Sequence, residues 1–458
     1  MTKLISTNPG KNYEVIGSVE VSTTAEIKQK VASAQAAKTG WKELGVAKRI
    51  SLLWPVYEEL IKRKKEIKNL IVQEIGKASQ DVESEIDRYS ENFKWFLENG
   101  EKSLGDEITH EDDKSIHKII YEPLGVTAVI TPWNQPYGMF VWGVIPNLIA
   151  GNTVIFKHSE ECLLTGKLIE EVMESCHLPK DVFCEVYGDG EIGKKLIDQD
   201  INLIWFTGSS NVGKQLYKIA AEKFIKVILE MGGSNPGIIF SDVDINKFIE
   251  KIYTKRFRNC GQVCDALKRL IVHESIFDEA VTKIKKEVEK KVVGDPQDSK
   301  TDIGSLVARR QLELLEAQVK DAVEKGAKVI TGGTKPEGLR GAYYLPTILT
   351  NIKPTMRVWK EETFGPVLAI VPFKTEGEAI KLANDTKYGL GALIFTDDKE
   401  RALRVAAKIE AGTVEINNAN HWLTCNPFGG YKESGMGREH GIHGFRELTQ
   451  IKVISMEK

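Results

Sequence analysis

Three side chains in this sequence have the types and settings needed for covalent chemistry at a carbonyl carbon. Cys264 ends the stretch Phe257-Arg258-Asn259-Cys260-Gly261-Gln262-Val263-Cys264, just past a helical segment and after a glycine that permits an unusual backbone turn. As a thiolate it would be a nucleophile; taken alone, a loop cysteine reads equally well as a small buried apolar residue. Glu230 closes the strand-like KVILE and precedes Met231, Gly232 and Gly233, a place suited to acid–base work, although a capping or surface glutamate would look the same. Asn134 lies in Pro132-Trp133-Asn134-Gln135-Pro136, directly after the run Val126 to Thr131. Sites form at the strand ends of parallel sheets, and an amide there can donate to a developing oxyanion, whereas the plain reading is a turn asparagine.

These residues need a scaffold, and the pattern around them supplies one. The β-branched runs Val126 to Thr131 and Thr153 to Phe156 are separated by about 20 residues, enough for a crossover helix, which implies a parallel sheet. Leu203 to Phe206 and Val227 to Leu229 read as further strands flanking a helix over Val212 to Lys223. Thr23 and Glu26 form a capping box that opens a helix through Ile27, Val31 and Ala34. Ile245, Phe248, Ile249 and Ile252 occupy one face of a helix that should end near Gly261. Lys328 to Ile330, Val367 to Val371 and Leu393 to Phe395 read as strands of a second α/β sheet. His110 to Tyr121 and Gln450 to Met456 read as arms that pair outside the main body.

Three glycine patterns invite comparison with phosphate loops. Gly188, Gly190 and Gly193 spell G-x-G-x-x-G between a strand-like and a helix-like segment, but the acidic residue expected about 20 positions later is not evident. Gly208 to Gln215, GSSNVGKQ, approaches a P-loop; its last position is Gln215, which has no hydroxyl for magnesium, so a P-loop nucleotide-binding protein is the alternative class. Gly435-Met436-Gly437-Arg438 lacks a preceding strand and reads as a tight connection.

Composition narrows the class. At 458 residues the chain exceeds one compact core, and its net charge of -2 gives no footprint for nucleic acid. Six cysteines are too sparse for a secreted disulfide framework, the N-terminus does not read as a signal peptide, and the longest apolar stretch, Met139 to Gly151, is broken and short for a membrane span. A soluble cytoplasmic protein with no metal site and no membrane partner is the expectation.

The segments PWNQP, LEMGGSNP, FRNCGQVC, EETFGPV and PFGGYKESGMGRE resemble those of the aldehyde dehydrogenase superfamily, in the family's order and over nearly the whole chain. The resemblance implies an α/β protein in three parts. These are a Rossmann-like NAD(P)-binding domain (1–102 and 124–231), a second α/β catalytic domain (232–432) and a β-arm for oligomerisation (103–123 and 433–458). It implies that Cys264 attacks an aldehyde to give a thiohemiacetal, that Asn134 and the Cys264 amide form the oxyanion hole, and that hydride passes to nicotinamide, leaving a thioester. Glu230 then activates the water that hydrolyses it, which separates hydrolytic members from those that acylate coenzyme A. Lys157 and Glu160 match the pair at the adenosine ribose, and a glutamate there favours NAD over NADP. Gly208 and Ser209 match the pyrophosphate loop, and Glu362 and Phe364 match the residues at the nicotinamide ribose and ring. Thr131, Trp133 and Gly232 belong to the same cofactor site. A homodimer or homotetramer is expected, since the family's arms extend a neighbour's sheet.

Departures stand beside the match. His158 replaces a common proline, Ser234 a common lysine, and Cys260 lies four before the nucleophile, as a packed small residue or as the partner of Cys264 in a reversible disulfide. Gln135, Met139, Trp142, Asp265, Trp422 and Phe428 are expected near the substrate funnel. Their aromatic character suggests a neutral aliphatic or aromatic aldehyde. Succinate semialdehyde is the alternative: it would call for an arginine, and none falls at these positions, although Arg258, Lys268 and Arg269 are near in sequence. His440 and His443 are expected on the solvated surface.

Overall fold

The computed structural model of the chain describes residues 2–458. The β-branched runs assemble into two large sheets and a separate arm. In the first sheet five strands run parallel, in the spatial order 226–230, 203–207, 126–130, 153–157, 183–185. The chain therefore fills one side of Val126–Ile130 first and then crosses to the other side at Leu203–Thr207. At such a reversal the connections after neighbouring strands diverge and leave a crevice at their carboxyl ends. The loops that flank this crevice begin at Thr131 and Gly208.

The second sheet has seven strands, in the order 328–331, 347–350, 367–373, 267–273, 235–239, 391–395, 413–416, parallel except at the first pair. Two of its interior strands, Val367–Phe373 and Gly391–Phe395, are apolar runs, as burial on both faces demands, whereas Leu267–His273 carries Lys268 and Arg269 inside. The chain passes from the first sheet to the second between Glu230 and Asn235, so the loops of both meet at one place. Glu107–Glu111, Ser115–Pro123 and Thr449–Glu457 form the arm, an antiparallel sheet of three strands. No helix among the described residues is long and apolar enough to cross a membrane.

One expectation is corrected. Gly435–Met436 is not merely a connection but a sixth, antiparallel strand of the first sheet, with Gly435 opposite Glu230. Two residues show no alternation, and glycine has little strand preference, so only the long-range pairing reveals it.

The helix Pro136–Gly143 is buried on every residue and seats Met139 and Trp142. It lies close on the first sheet through Gly143, where an added Cβ would come within 2.6 Å of Val129 and 2.8 Å of Trp205. Close-packed interiors resist an extra methyl. Gly143→Ala is therefore expected to lower stability by about 1–3 kcal/mol, read from urea unfolding midpoints.

Candidate active site

Cys264 stands between a tight turn, Arg258–Gly261, and the strand Leu267–His273. The turn holds two non-glycine residues in the left-handed region, Asn259 at φ 52° and Cys260 at φ 53°, followed by Gly261 at φ 70°. A side chain at Gly261 would collide with the Gly365 carbonyl. Such backbone persists only where its surroundings over-determine it, and here they do. Asn259 donates from its amide to Asp81 (2.8 Å) and from Nδ2 to the carbonyls of Asn134 (2.9 Å) and Gln262 (3.2 Å). Asn134 Nδ2 in turn donates to the Gln262 carbonyl at 3.0 Å. An amide nitrogen carries two hydrogens, so Asn134 keeps one for a ligand.

The Asn134 loop is held from behind as well. Lys77 and Glu85 form a buried ion pair at 2.5 Å, with side chains 4% and 1% exposed. Glu85 accepts from the amides of Tyr137 and Gly138 at the start of the helix Pro136–Gly143, and Lys77 reaches the Asn134 carbonyl at 3.5 Å. A carboxylate at a helix N-terminus is stabilised by those orphan amides. Sequence reading misses this pair, because its partners lie about fifty residues downstream.

Glu230 faces the same cavity, which has a volume of about 340 Å³ and is also lined by Asn134 and Cys264. Its backbone is fixed on both sides, its carbonyl accepting from Gly208 at 2.9 Å and the next amide donating to Ser434 at 2.8 Å. Neither carboxylate oxygen meets a hydrogen-bond partner among the described residues. Burial raises its pKa well above the usual carboxylate range, against the pull of Arg438. Glu439 lines the cavity too, with both oxygens unpartnered; burial and then the charge of Glu230 push it up. Two carboxylates this close resist ionising together. The Cys264 thiol is also pushed up, by burial first and then by Asp265, with Lys268 pulling down.

The cofactor side lies at the crevice of the first sheet. Trp133, Gly208, Ser209, Gly232, Glu362 and Phe364 line one wall of the cavity. Ser209 caps the helix Ser210–Lys223, accepting from the Val212 amide, so this helix N-terminus opens toward the crevice as a phosphate seat requires. Glu362 Oε1 accepts from the Gly233 amide at 3.0 Å, and Phe364 packs edge-on against Trp133 at 5.6 Å. Thr131 and Lys157 sit outside the cavity wall, adjoining each other through the Thr131 amide and the Lys157 carbonyl at 3.0 Å. Glu160 is close enough to Lys157 to raise its pKa, although burial lowers it more. The unpartnered, buried hydroxyls of Thr131 and Thr207 add polar capacity at the strand ends. These features fit a dinucleotide lying across the crevice. The GDGEIG motif opens the short helix Gly190–Ile197, where a Cβ added at Gly193 would lie 3.7 Å from the stem of Lys157.

On the substrate side Gln135, Met139, Trp142, Trp422 and Phe428 line the cavity. Trp142, Trp422 and Phe428 pack together with ring centroids 5.0–6.1 Å apart. Tyr89 donates to Gln135 at 2.5 Å and so fixes its side chain. Asp265 differs from expectation. It turns into an adjoining cavity of about 500 Å³, where it accepts from Trp422 Nε1 at 3.0 Å and pairs with Lys255 at 3.5 Å. Its charge is thus neutralised rather than aimed down the tunnel. His440 is likewise not solvated. Its side chain is 4% exposed and meets Trp142 edge-on at 4.0 Å, because a left-handed backbone at φ 65° turns it inward; His443 is exposed. Both Cys260 and Cys264 are free thiols, and Cys260 belongs to the core of the second sheet.

A parallel-sheet dinucleotide crevice facing a cysteine, a buried carboxylate and an amide donor defines an oxidoreductase of the aldehyde type. Comparison with known proteins agrees. The family model described as "Aldehyde dehydrogenase family" matches residues 2–454, and the chain belongs to that family. It is 35% identical over 99% of its length to glutarate-semialdehyde dehydrogenase of Pseudomonas aeruginosa, covering 94% of that protein. It is 35% identical over 96% of its length to betaine aldehyde dehydrogenase of Bacillus subtilis, covering 91% of it. Among solved structures, succinate-semialdehyde dehydrogenase of Burkholderia pseudomallei superimposes with a TM-score of 0.96 at 32% identity, over 99% of this chain and 94% of that one. The chain is therefore an aldehyde-oxidising enzyme that uses NAD or NADP, and the P-loop alternative falls: Gly208 to Gln215 serves a Rossmann-like crevice.

Removing one member of a buried ion pair strands the other. Lys77→Met is expected to cost about 3–5 kcal/mol in chemical unfolding and to lower kcat more than it raises KM, since the Asn134 carbonyl loses a support.

Proposed function

We propose that this chain oxidises an aldehyde with a distal anionic group to the free carboxylic acid, through a thioester on Cys264. The observation that carries the hydrolytic reading is Glu230, a buried carboxylate with both oxygens unpartnered, in the same cavity as Cys264 and Asn134. The Cys264 thiolate adds to the carbonyl carbon. The carbonyl electrons move to oxygen, and the resulting oxyanion accepts hydrogen bonds from Asn134 Nδ2 and the Cys264 amide. A nicotinamide dinucleotide, held by Glu362 and Phe364 on one side and by Ser209, Lys157 and Glu160 on the other, supplies the hydride acceptor. Glu230 takes a proton from water, the hydroxide oxygen bonds to the thioester carbon, and the C–S bond breaks to return the thiolate and release the acid. Glu439 offers a second seat for that proton. The Glu160 carboxylate beside Lys157 disfavours a 2′-phosphate, so NAD is the preferred cofactor.

The substrate reading turns on the adjoining cavity, which shares Trp422 with the tunnel. Arg88 and Arg258 line it, and neither forms an ion pair among the described residues; the Arg258 charge even depresses the pKa of Arg88, after burial. Two of the three lysines there, Lys251 and Lys255, are committed to Glu415 at 2.8 Å each; Lys247 is the third. Two half-buried guanidinium groups with no direct salt-bridge partner, within charge reach of Asp265, suit a carboxylate at the far end of an apolar spacer. This reverses the order set from sequence, which places a neutral aldehyde first on the aromatic funnel lining and the lack of an arginine at its positions; Arg88 lies far from those segments in the chain. Relatives named for glutarate and succinate semialdehydes are consistent with it.

The oligomer follows from the arm. Thr449–Glu457 is an edge strand exposing Ile451, Val453 and Met456, and the second sheet ends on Thr413–Ile416, also an open edge. Unpaired apolar edges invite pairing with another chain, here a second copy, to give a dimer or a dimer of dimers. In this reading the cofactor domain spans 1–102 with 124–231, the catalytic domain 232–432 and the oligomerisation arm 103–123 with 433–458.

Three outcomes are expected. In a substrate panel run with NAD and NADP, succinate semialdehyde should exceed hexanal and benzaldehyde in kcat/KM. Arg88→Met and Arg258→Met should each cut the semialdehyde value about ten- to a hundredfold, the worth of a charge-assisted hydrogen bond, and leave hexanal unchanged. A preference for hexanal or benzaldehyde in the unmodified enzyme, or equal losses on all substrates, would return the neutral reading. Because Glu230 must be ionised to act and its pKa is raised, deacylation should fall as pH drops through a midpoint well above the ~4.3 of a free glutamate, as read from steady-state kcat against pH.

A further inference from the structure

Lys268 is a charged residue in a strand interior. It is the second residue of Leu267–His273, among Leu267, Leu270 and Ile271, and its side chain is 1% exposed. An ammonium in such a place is costly unless every proton finds an acceptor. Each does. Nζ donates to the Gly233 carbonyl at 2.7 Å, the Cys264 carbonyl at 3.1 Å and Glu362 Oε1 at 2.5 Å, and it stands 5.4 Å from the centre of the Phe364 ring. The three acceptors come from three separate segments: the passage between the two sheets, the nucleophile's loop, and the segment holding Glu362 and Phe364. A leucine or asparagine at this position could not tie all three together, and a bland reading of Lys268 as a snorkelling surface lysine fails on its burial.

We propose that Lys268 is a positioning residue that fastens the loop of Cys264 to Glu362 and sets a fixed cation beside the sulfur. This rests on Cys264 being the nucleophile. The charged groups that face the thiol are Asp265, Glu230 and Glu362, which disfavour the thiolate, and Lys268, which favours it. Lys268 itself is faced by Glu362, Arg256 and Cys264. Lys268 thus does two things at once. It offsets the Glu362 carboxylate that the cofactor site requires, and its Nζ, 3.1 Å from the Cys264 carbonyl, sets a positive charge on the side of the thiol that Glu362 faces. The ammonium takes no proton in this role; it lowers the energy of the ionised sulfur.

The test uses the full chain without cofactor and reads iodoacetamide labelling of Cys264 by peptide mass spectrometry across a range of pH. Labelling follows the thiolate fraction. Lys268→Met should shift the midpoint upward by about one unit and slow labelling at neutral pH on the order of tenfold; Lys268→Arg should restore most of it. Glu362→Gln should shift the midpoint the other way, since the lysine then stands unopposed. An unmoved profile in Lys268→Met, with the fold intact by circular dichroism, overturns the proposal. If that variant does not fold, an unmoved or raised midpoint in Glu362→Gln overturns it instead. Turnover by Cys264→Ala separates the two readings: activity retained there would remove the nucleophile assignment, whereas the labelling shifts would still report the cation at the thiol.

Discussion

The site depends on a hydrogen-bonded interlock between two loops that belong to different sheets. Asn134 leaves the first sheet, Asn259 and Gln262 lie between two strands of the second, and each loop donates to a carbonyl of the other at 2.9–3.0 Å. Cys264 and the Asn134 side chain therefore keep a fixed relation even though they stand 130 residues apart in the chain. The left-handed backbone of Asn259 and Cys260 is part of the same device. It turns the chain sharply enough to bring Cys264 to the tunnel while Cys260 stays in the core. Reactive geometry of this sort needs support outside the reacting atoms, since small misplacements are costly in rate.

A second constraint is burial of charge. Glu230 and Glu439 are held without partners, whereas Lys77–Glu85, Lys268–Glu362 and Lys255–Asp265 are matched. Lys77–Glu85 sits behind the Asn134 loop, and Lys268 ties the Cys264 loop to Glu362; the unmatched carboxylates face the cavity. Perturbed groups that face a cleft mark function more often than structure. The same contrast separates Lys251 and Lys255 of the outer cavity, bound to Glu415, from Arg88 and Arg258, which form no salt bridge among the described residues.

Much of this was legible in the chain because local signals agreed with the fold. The capping box at Thr23 and Glu26 forms reciprocally, at 2.6 and 3.2 Å. The β-branched runs at Val126 and Thr153 pair in parallel, and the helix after Gly208 starts at its serine cap. The arms at His110 to Tyr121 and Gln450 to Met456 pair with each other. What could not be read is set by contacts between distant segments. Gly435 joins the strand of Glu230 across 205 positions, His440 turns inward by its backbone, and Arg88 reaches the tunnel mouth from a long helix whose face no motif marks. The resemblance sets Asp265 at the funnel; its side chain turns into the adjoining cavity, where Trp422 and Lys255 claim its carboxylate.

The account's centre is the covalent bond between Cys264 and the acyl carbon. It is tested most directly by quenching a single turnover of a Glu230→Gln variant with aldehyde and NAD in acid, and mapping the adduct by peptide mass spectrometry. The account predicts a stoichiometric acyl group on the peptide carrying Cys264, formed together with one equivalent of NADH. NADH formed at the normal rate with no adduct on Cys264 would contradict it.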